Sequence, residues 1–158
     1  MSTLSTARPE QSVTGRIDPR GQQFAAAVTT VVLAVVLLTA PSPIGVALLA
    51  VQAVLFAIGA GFGVQSTPHA FVFRAFVRPR LGAPAELEDP EPPRFAQTVG
   101  LGFAVVALAG FLAGVPTIGL VATGFALAAA LLNAAFGFCL GCEMYLLIKR
   151  VRPAAVGG

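Results

Sequence analysis

The chain alternates long apolar stretches with short polar blocks, and no apolar stretch contains an ionisable side chain. A helix that crosses a bilayer needs about 20 mostly apolar residues, because the membrane interior offers no water to its backbone hydrogen-bonding groups. Four stretches meet this requirement, at residues 22–40, 44–64, 95–114 and 117–138. The pattern predicts an all-α integral membrane protein whose four transmembrane helices form a bundle.

The breaks between these stretches are of two kinds. Residues 41–43 (Pro-Ser-Pro) and 115–116 (Val-Pro) are short, uncharged turns, which pair the spans into hairpins at residues 22–64 and 95–150. The segment 65–94 is long and charged, and its residues 70–78 predict a short amphipathic helix at the membrane interface. The composition of residues 1–21 predicts a disordered tail. The last span is expected to continue as a helix to about residue 150. Residues 151–158 are expected to form a second tail.

The two hairpins share short sequence matches. Ile44-Gly45 corresponds to Ile118-Gly119, and residues 62–63 and 136–137 are both Phe-Gly. Matches at corresponding positions predict a parallel duplication, with the hairpins related by an axis along the membrane normal. A site built in one hairpin only would then lie at one end of the bundle.

Composition and charge agree with a membrane protein and orient it. Hydrophobic residues make up 56% of the chain and charged residues 11%, against about 25% charged in soluble domains, so a soluble globular domain is excluded. All ten basic residues precede the first span, lie in segment 65–94 or follow the last span. The positive-inside rule therefore places both termini and this segment in the cytoplasm. A cleaved signal peptide is the weaker alternative for the first span, since three more spans follow it.

A Cys-x-x-Cys motif at the end of the last span contains the candidate reactive side chains. On a continuous helix Cys139 and Cys142 would share a face at a separation that a disulfide tolerates, and Glu143 could accept or return a proton. Such a helix would place the pair near a C-terminal end and beside the Glu143 carboxylate, and both the dipole and the carboxylate disfavour thiolate. We therefore expect a slow nucleophile unless a basic side chain comes close, for which the candidates are Arg74, Arg78, Arg80 and Lys149.

Other roles for these residues remain open. The cysteines could be small apolar packing residues. They could also be metal ligands if His69 and Glu143 completed the site, although two cysteines alone do not indicate a metal site. The motif does not match a covalent haem attachment site, because Glu143 occupies the position at which that site requires histidine. Arg74, Arg78 and Arg80 are candidate contacts for lipid headgroups or an anionic partner. Asn133, in mid-span, would hydrogen-bond across helices or line a ligand cavity.

Four runs of residues resemble the bacterial, mainly actinobacterial, membrane family catalogued as domain of unknown function 4395. They are residues 16–21 (Arg-Ile-Asp-Pro-Arg-Gly), 78–82 (Arg-Pro-Arg-Leu-Gly), 92–97 (Pro-Pro-Arg-Phe-Ala-Gln) and 133–143 (Asn-Ala-Ala-Phe-Gly-Phe-Cys-Leu-Gly-Cys-Glu). The resemblance implies a location in the bacterial cell membrane. It also implies a thioredoxin-like or thiosulfate sulfurtransferase partner in the cytoplasm, and no nucleic acid.

A looser resemblance is to four-helix disulfide oxidoreductases of the vitamin K epoxide reductase type, which would make a quinone a candidate cofactor. This chain departs from that type in the predicted cytoplasmic side of its cysteines and in the lack of a second cysteine pair. The hypothesis favoured by the sequence is a thiol/disulfide or sulfur-transfer relay, a candidate component of a thiol oxidoreductase. A scaffold that recruits a soluble enzyme and a transporter for a small sulfur compound are the alternatives.

Overall fold

The computed structural model describes residues 15–152, and the sequence beyond them in the two predicted tails lies outside the described residues. Four long helices run through the molecule, and three short helices lie at one end of it. The long helices are α1 (Pro19–Thr39), α2 (Pro43–Phe62), α5 (Glu91–Leu112) and α6 (Pro116–Phe136). The short ones are α3 (Pro68–Val72), α4 (Arg78–Leu81) and α7 (Leu140–Val151).

The all-α fold with four membrane-spanning helices is confirmed. α1, α2, α5 and α6 are each long and apolar enough to cross a membrane, which makes the chain a multi-pass membrane protein, consistent with a bacterial cell membrane. α1 begins on Pro19 of the predicted tail, and α2 and α6 begin on Pro43 and Pro116, which are prolines of the two predicted breaks. Proline suits a first helical position because its fixed φ is already helical and no hydrogen bond is lost there.

The long helices form a ring in the order α1, α2, α5, α6. α1 packs mainly on α6 and α2 mainly on α5, so each hairpin contacts the other in the same way. This exchange of equivalent contacts is what a two-fold axis along the membrane normal produces. The second helix of each hairpin also ends on a glycine with positive φ, Gly63 at 93° and Gly137 at 66°.

The buried core fills the half of the bundle near the two hairpin turns. It contains leucine, valine, phenylalanine and alanine side chains: Leu33, Val36, Leu49, Ala53, Phe56, Ala104, Ala107, Phe111, Ala122 and Ala126. Glycine permits the closest helix approach there, since a Cβ on Gly110 would lie 2.7 Å from the backbone nitrogen of Gly119. Packing of this kind, rather than water exclusion, holds helices together in lipid.

The opposite half of the bundle carries the charged segments, and we call it the basic end. Ile17 and Glu88 exchange backbone hydrogen bonds there, so residues 15–21 of the predicted disordered tail are ordered against segment 65–94. Asp18 caps α1 and pairs with Arg20, whose guanidinium also donates to the carbonyls of Leu81 and Gly82. The disorder prediction is wrong for these residues, because the cap on α1 and the backbone bridge to Glu88 offset the conformational entropy that is lost when they become ordered.

Segment 65–94 is helical over more than the predicted 70–78. α3 leads into a wide π-helical turn (Phe73–Val77) and then into α4. Phe73 is 3% exposed and packs on Phe24 and Gly21 of α1. The segment is therefore anchored to the bundle through its buried aromatic side chain.

The predicted unbroken helix from the last span to residue 150 is wrong. α6 ends at Phe136, Gly137 adopts a left-handed conformation, and a separate helix, α7, begins at Leu140. A glycine with positive φ is a common helix end because a Cβ would be strained there. The cysteines consequently lie at the start of a helix, and not near the end of one.

Candidate functional site

Cys139 and Cys142 form a disulfide at the N-terminus of α7, with Cα atoms 5.2 Å apart. Cys139 is the N-cap residue, and its Sγ accepts a hydrogen bond of 3.3 Å from the backbone N–H of Cys142. Both residues are half-buried. The helix that begins here therefore directs the N–H of Cys142, which has no carbonyl partner within the helix, toward the sulfur of Cys139.

This position reverses the electrostatic expectation drawn from the sequence. A helix N-terminus carries partial positive charge and favours thiolate, as do N–H groups that donate to sulfur. Lys149, one of the predicted basic candidates, lies in the last turn of α7 over the Tyr145 ring, 5.8 Å from the ring centroid. The separate helix α7 therefore removes the dipole argument for a slow nucleophile, whereas the neighbouring carboxylate of Glu143 still disfavours thiolate.

Glu143 lies in the first turn of α7 and is exposed. Its backbone N–H donates to the carbonyl of Cys139 at 3.0 Å. A carboxylate at this position interacts favourably with the helix dipole, so Glu143 has a structural role besides the predicted proton transfer. It adjoins the disulfide in sequence and in space.

Three contacts hold α7 across the start of α5. The first is a close approach of Gly141, at which a Cβ would lie 2.6 Å from the Cα and from the Cβ of Ala96. The second is the tilted ring pair of Phe95 and Tyr145, with centroids 5.7 Å apart. The third is the hydrogen bond from the Tyr145 hydroxyl to Glu91, which also raises the pKa of Tyr145. α5 thus fixes the direction in which the cysteines face.

A cavity of about 270 Å³ lies beside the disulfide, inside the bundle at the basic end. Cys139 is among its lining residues and Cys142 is not. Small side chains from α1, α5 and α6 leave the space open, including Ala26, Gly100 and Ala129. We call it the cysteine cavity. Asn133 also lines it, which is one of the two roles expected for that residue.

A second cavity of about 190 Å³ adjoins the first and is more polar. Gln22, Ala25, Thr29 and Gln97 line both cavities. Gln52 lines the second cavity from the middle of α2. We call this the amide cavity, because carboxamides from three different helices converge on it.

Gln52 is an unusual residue for mid-span. It is 1% exposed, its Nε2 lies 3.5 Å from the Thr29 hydroxyl oxygen, and its Oε1 has no hydrogen-bond partner. An unpaired polar atom buried in this way costs about 1–3 kcal/mol. Exchanging the two ends of the amide, which are assigned from the hydrogen-bond network, would still leave one end unpaired.

Two of the arginines of segment 65–94 line the amide cavity, and the other two donate hydrogen bonds to backbone carbonyls. Arg74 and Arg78 line the amide cavity, together with His69. Burial lowers the pKa of His69, which favours the neutral imidazole. Arg80 donates to the carbonyl of Phe76 on its own helical segment. Arg94 donates to the carbonyls that end α2, at 2.7 Å each, those of Ala60 and Gly61.

The sequence-based site contained the two cysteines, which the fold joins in a disulfide, and it omitted the amides. Gln52 is the only polar side chain between Val46 and Gly63, and this isolation in an apolar span was the signal that could have found it. His69 lines the amide cavity, while Cys139 lines the cysteine cavity. Among residues 15–152, no group of three or more His, Cys, Asp or Glu side chains is arranged to hold a metal ion.

Comparison with known proteins identifies the family. No curated protein and no solved structure gives a significant match to the chain. One family model matches residues 17–150, which include all four spans, segment 65–94 and the disulfide. The chain therefore belongs to the family described as domain of unknown function (DUF4395).

Proposed function

We propose that the Cys139–Cys142 disulfide exchanges with the dithiol of a soluble, thioredoxin-like protein, so that the chain is a membrane-embedded thiol relay. The observation that carries this proposal is the position of the disulfide at the N-terminus of α7, with Cys139 Sγ as the N-cap acceptor. Low-pKa thiols leave faster in exchange reactions, and a helix N-terminus lowers the energy of the departing thiolate.

The exchange proceeds in two substitutions at sulfur. A partner thiolate attacks Sγ of Cys142, the S–S bond breaks, and Cys139 leaves as a thiolate that the Cys142 N–H stabilises. The second partner thiolate then attacks the partner's sulfur in the mixed disulfide and releases Cys142. The partner loses two electrons and becomes a disulfide, and the pair in this chain becomes a dithiol. Glu143, in the first turn of α7, would accept a proton from the partner's thiol and pass it to a released thiolate.

The two cysteines have different surroundings, and this supports different roles. Cys139 lines the internal cavity, whereas Cys142 does not. A soluble protein cannot enter a cavity of about 270 Å³ inside a helix bundle, so attack at Cys142 is the sterically open route. Cys142 therefore meets the partner, and Cys139 connects the pair to the bundle interior.

A trapping experiment tests this assignment. The purified protein is mixed with a reduced thioredoxin whose second active-site cysteine is replaced by serine, so that the mixed disulfide cannot resolve. We expect a covalent complex in which peptide mapping finds the thioredoxin on Cys142. The control carries both Cys139→Ser and Cys142→Ser and should form no complex.

Two results would count against the proposal. The absence of any complex, together with a disulfide that excess reduced wild-type thioredoxin leaves intact, would contradict the exchange itself. A complex attached at Cys139 would contradict the division of roles. A double-serine variant that keeps its cellular function would favour the scaffold hypothesis.

A further inference from the structure

The amide cavity changes in character from its mouth to its closed end. Arg16, Arg74 and Arg78 line it and are exposed, so they lie where the cavity meets solvent. Thr29 and Gln52 line it from within the bundle and are 6% and 1% exposed. The cavity is therefore cationic at its mouth, and polar but uncharged at its closed end.

The positive charge at the mouth is not neutralised within the described part of the chain. Among residues 15–152 the one ion pair joins Asp18 to Arg20, and Arg20 does not line the cavity. Asp18 does line it, but both of its carboxylate oxygens accept hydrogen bonds from Arg20. Guanidinium groups bind the oxygens of phosphates and carboxylates through paired N–H bonds. Three free guanidinium groups thus fit an anionic group at the mouth, and a phosphate dianion better than a monoanion.

The closed end contains a polar group without a partner. Oε1 of Gln52 accepts no hydrogen bond, and Nε2 lies 3.5 Å from the Thr29 hydroxyl oxygen. The last torsion of a glutamine side chain is only weakly restricted, so either end of this amide can turn toward a bound molecule. A hydroxyl group both donates and accepts hydrogen bonds, so it suits the amide in both orientations. The closed end therefore fits a hydroxyl group of the same ligand.

From these features we propose that the amide cavity binds a small phosphate ester that carries hydroxyl groups, with its phosphate at the arginines and a hydroxyl at Gln52. The cavity has a volume of about 190 Å³, whereas one water needs only about 10–15 Å³, so it has room for a molecule of several non-hydrogen atoms. Glycerol 3-phosphate is a compound of this class, and the headgroup of phosphatidylglycerol presents the same chemistry. The binding uses neither cysteine and does not depend on the thiol exchange.

Isothermal titration calorimetry on the full-length protein in phosphatidylcholine nanodiscs tests this site. The probes are glycerol 3-phosphate and its two fragments, inorganic phosphate and glycerol. We expect saturable binding of glycerol 3-phosphate at one site, about tenfold or more tighter than either fragment, because only the ester reaches both ends of the cavity.

Three variants separate the two ends of the site from a general attraction of anions. Gln52→Leu should weaken binding of glycerol 3-phosphate by about tenfold and leave that of inorganic phosphate unchanged. Arg78→Gln should weaken the binding of both, and since Arg78 is exposed, this variant keeps the test valid if Gln52→Leu fails to fold. Arg80→Gln is the matched control, because it removes the same charge from the same segment outside the cavity lining, and it should bind like the wild type.

Nanodiscs of different lipids distinguish the two sources of the ligand. If phosphatidylglycerol weakens the binding of glycerol 3-phosphate more than phosphatidylserine of equal charge does, the lipid headgroup enters the site; equal effects identify the soluble ester. The absence of saturable binding in phosphatidylcholine nanodiscs would overturn the inference. Equal losses in Arg78→Gln and Arg80→Gln would reduce it to non-specific charge attraction, and an unchanged affinity in Gln52→Leu would contradict the hydroxyl contact. None of these results bears on trapping of the mixed disulfide.

Discussion

Replacing Gly141 with alanine should detach α7 from α5, although local helix propensity favours the opposite outcome. Gly141 lies in the first turn of α7 between the two cysteines, and its φ is not in the left-handed region. On propensity alone, alanine would stabilise the helix by up to about 1 kcal/mol. The sign of the effect therefore depends on the neighbouring atoms.

Those neighbours leave no room for a methyl group. A Cβ at this position would lie 2.6 Å from both Cα and Cβ of Ala96, whereas carbon atoms pack favourably at about 3.5–4.0 Å. α7 must then move away by roughly 1 Å, and because one of the contacts is a Cα atom, no side-chain rotation can relieve it. Overpacking of this kind costs about 1–3 kcal/mol, which exceeds the gain in propensity.

Two readouts on the purified protein check this expectation. Tyr145 is the only tyrosine and the chain has no tryptophan, so intrinsic fluorescence reports the docking of α7 through its contacts with Phe95 and Glu91. Gly141→Ala should change this signal, lower the thermal midpoint and alter the rate at which dithiothreitol reduces the disulfide. Gly124→Ala is the matched control, since its Cβ would meet nothing within 4 Å. Equal stability and equal fluorescence in the two variants would refute the packing argument.

Three further predictions follow from individual contacts. Gln52→Leu should raise stability by about 1 kcal/mol, because it removes a buried unpaired amide; a large loss of stability would contradict this. Hydrogen bonding to Arg20 holds the pKa of Asp18 below its usual value, so its stabilisation is present above about pH 4 and is lost as the pH falls. The difference in thermal midpoint between the wild type and Asp18→Asn should shrink on acidification, and a constant difference would exclude the ion pair as its source. Glu91→Gln should lower the pKa of Tyr145 toward its usual value in a spectrophotometric titration, whereas an unchanged titration would show that Glu91 does not contact the phenol.

The transmembrane part of the fold could be predicted because one physical requirement dominates it. A bilayer accepts only long apolar helices, and the chain places its prolines and charges where those helices end. The proline-rich breaks even mark helix starts, since Pro43 and Pro116 are the first residues of α2 and α6.

The break at Gly137 could not be found by the same reasoning. Gly137 and Gly141 have the spacing of packing glycines, and glycine serves both for close helix approach and for left-handed helix ends. In the fold the two roles separate, because Gly137 ends α6 and Gly141 packs on Ala96. Only tertiary contacts distinguish the two roles. Taking Gly137 as a packing glycine rather than a helix end was therefore enough to reverse the expected effect of the helix dipole on the cysteines.

The amide cavity was missed for a different reason. The neutral polar side chains that line it come from three helices: Gln22 and Thr29 from α1, Gln52 from α2 and Gln97 from α5. Their convergence depends on the rotation of three helices about their own axes, which weak amphipathic patterns do not determine in lipid. The sequence therefore pointed to the cysteines and to Asn133, but not to the glutamines of the amide cavity.

The central claim is that the Cys139–Cys142 disulfide is reactive and accessible from the cytoplasm. It can be tested by alkylating membrane vesicles of both orientations with a membrane-impermeant maleimide, with and without prior reduction by thioredoxin. We predict labelling of Cys142 only after reduction and only in inside-out vesicles. Labelling without reduction, labelling from the opposite side, or a pair that stays unlabelled after thioredoxin treatment would contradict the account.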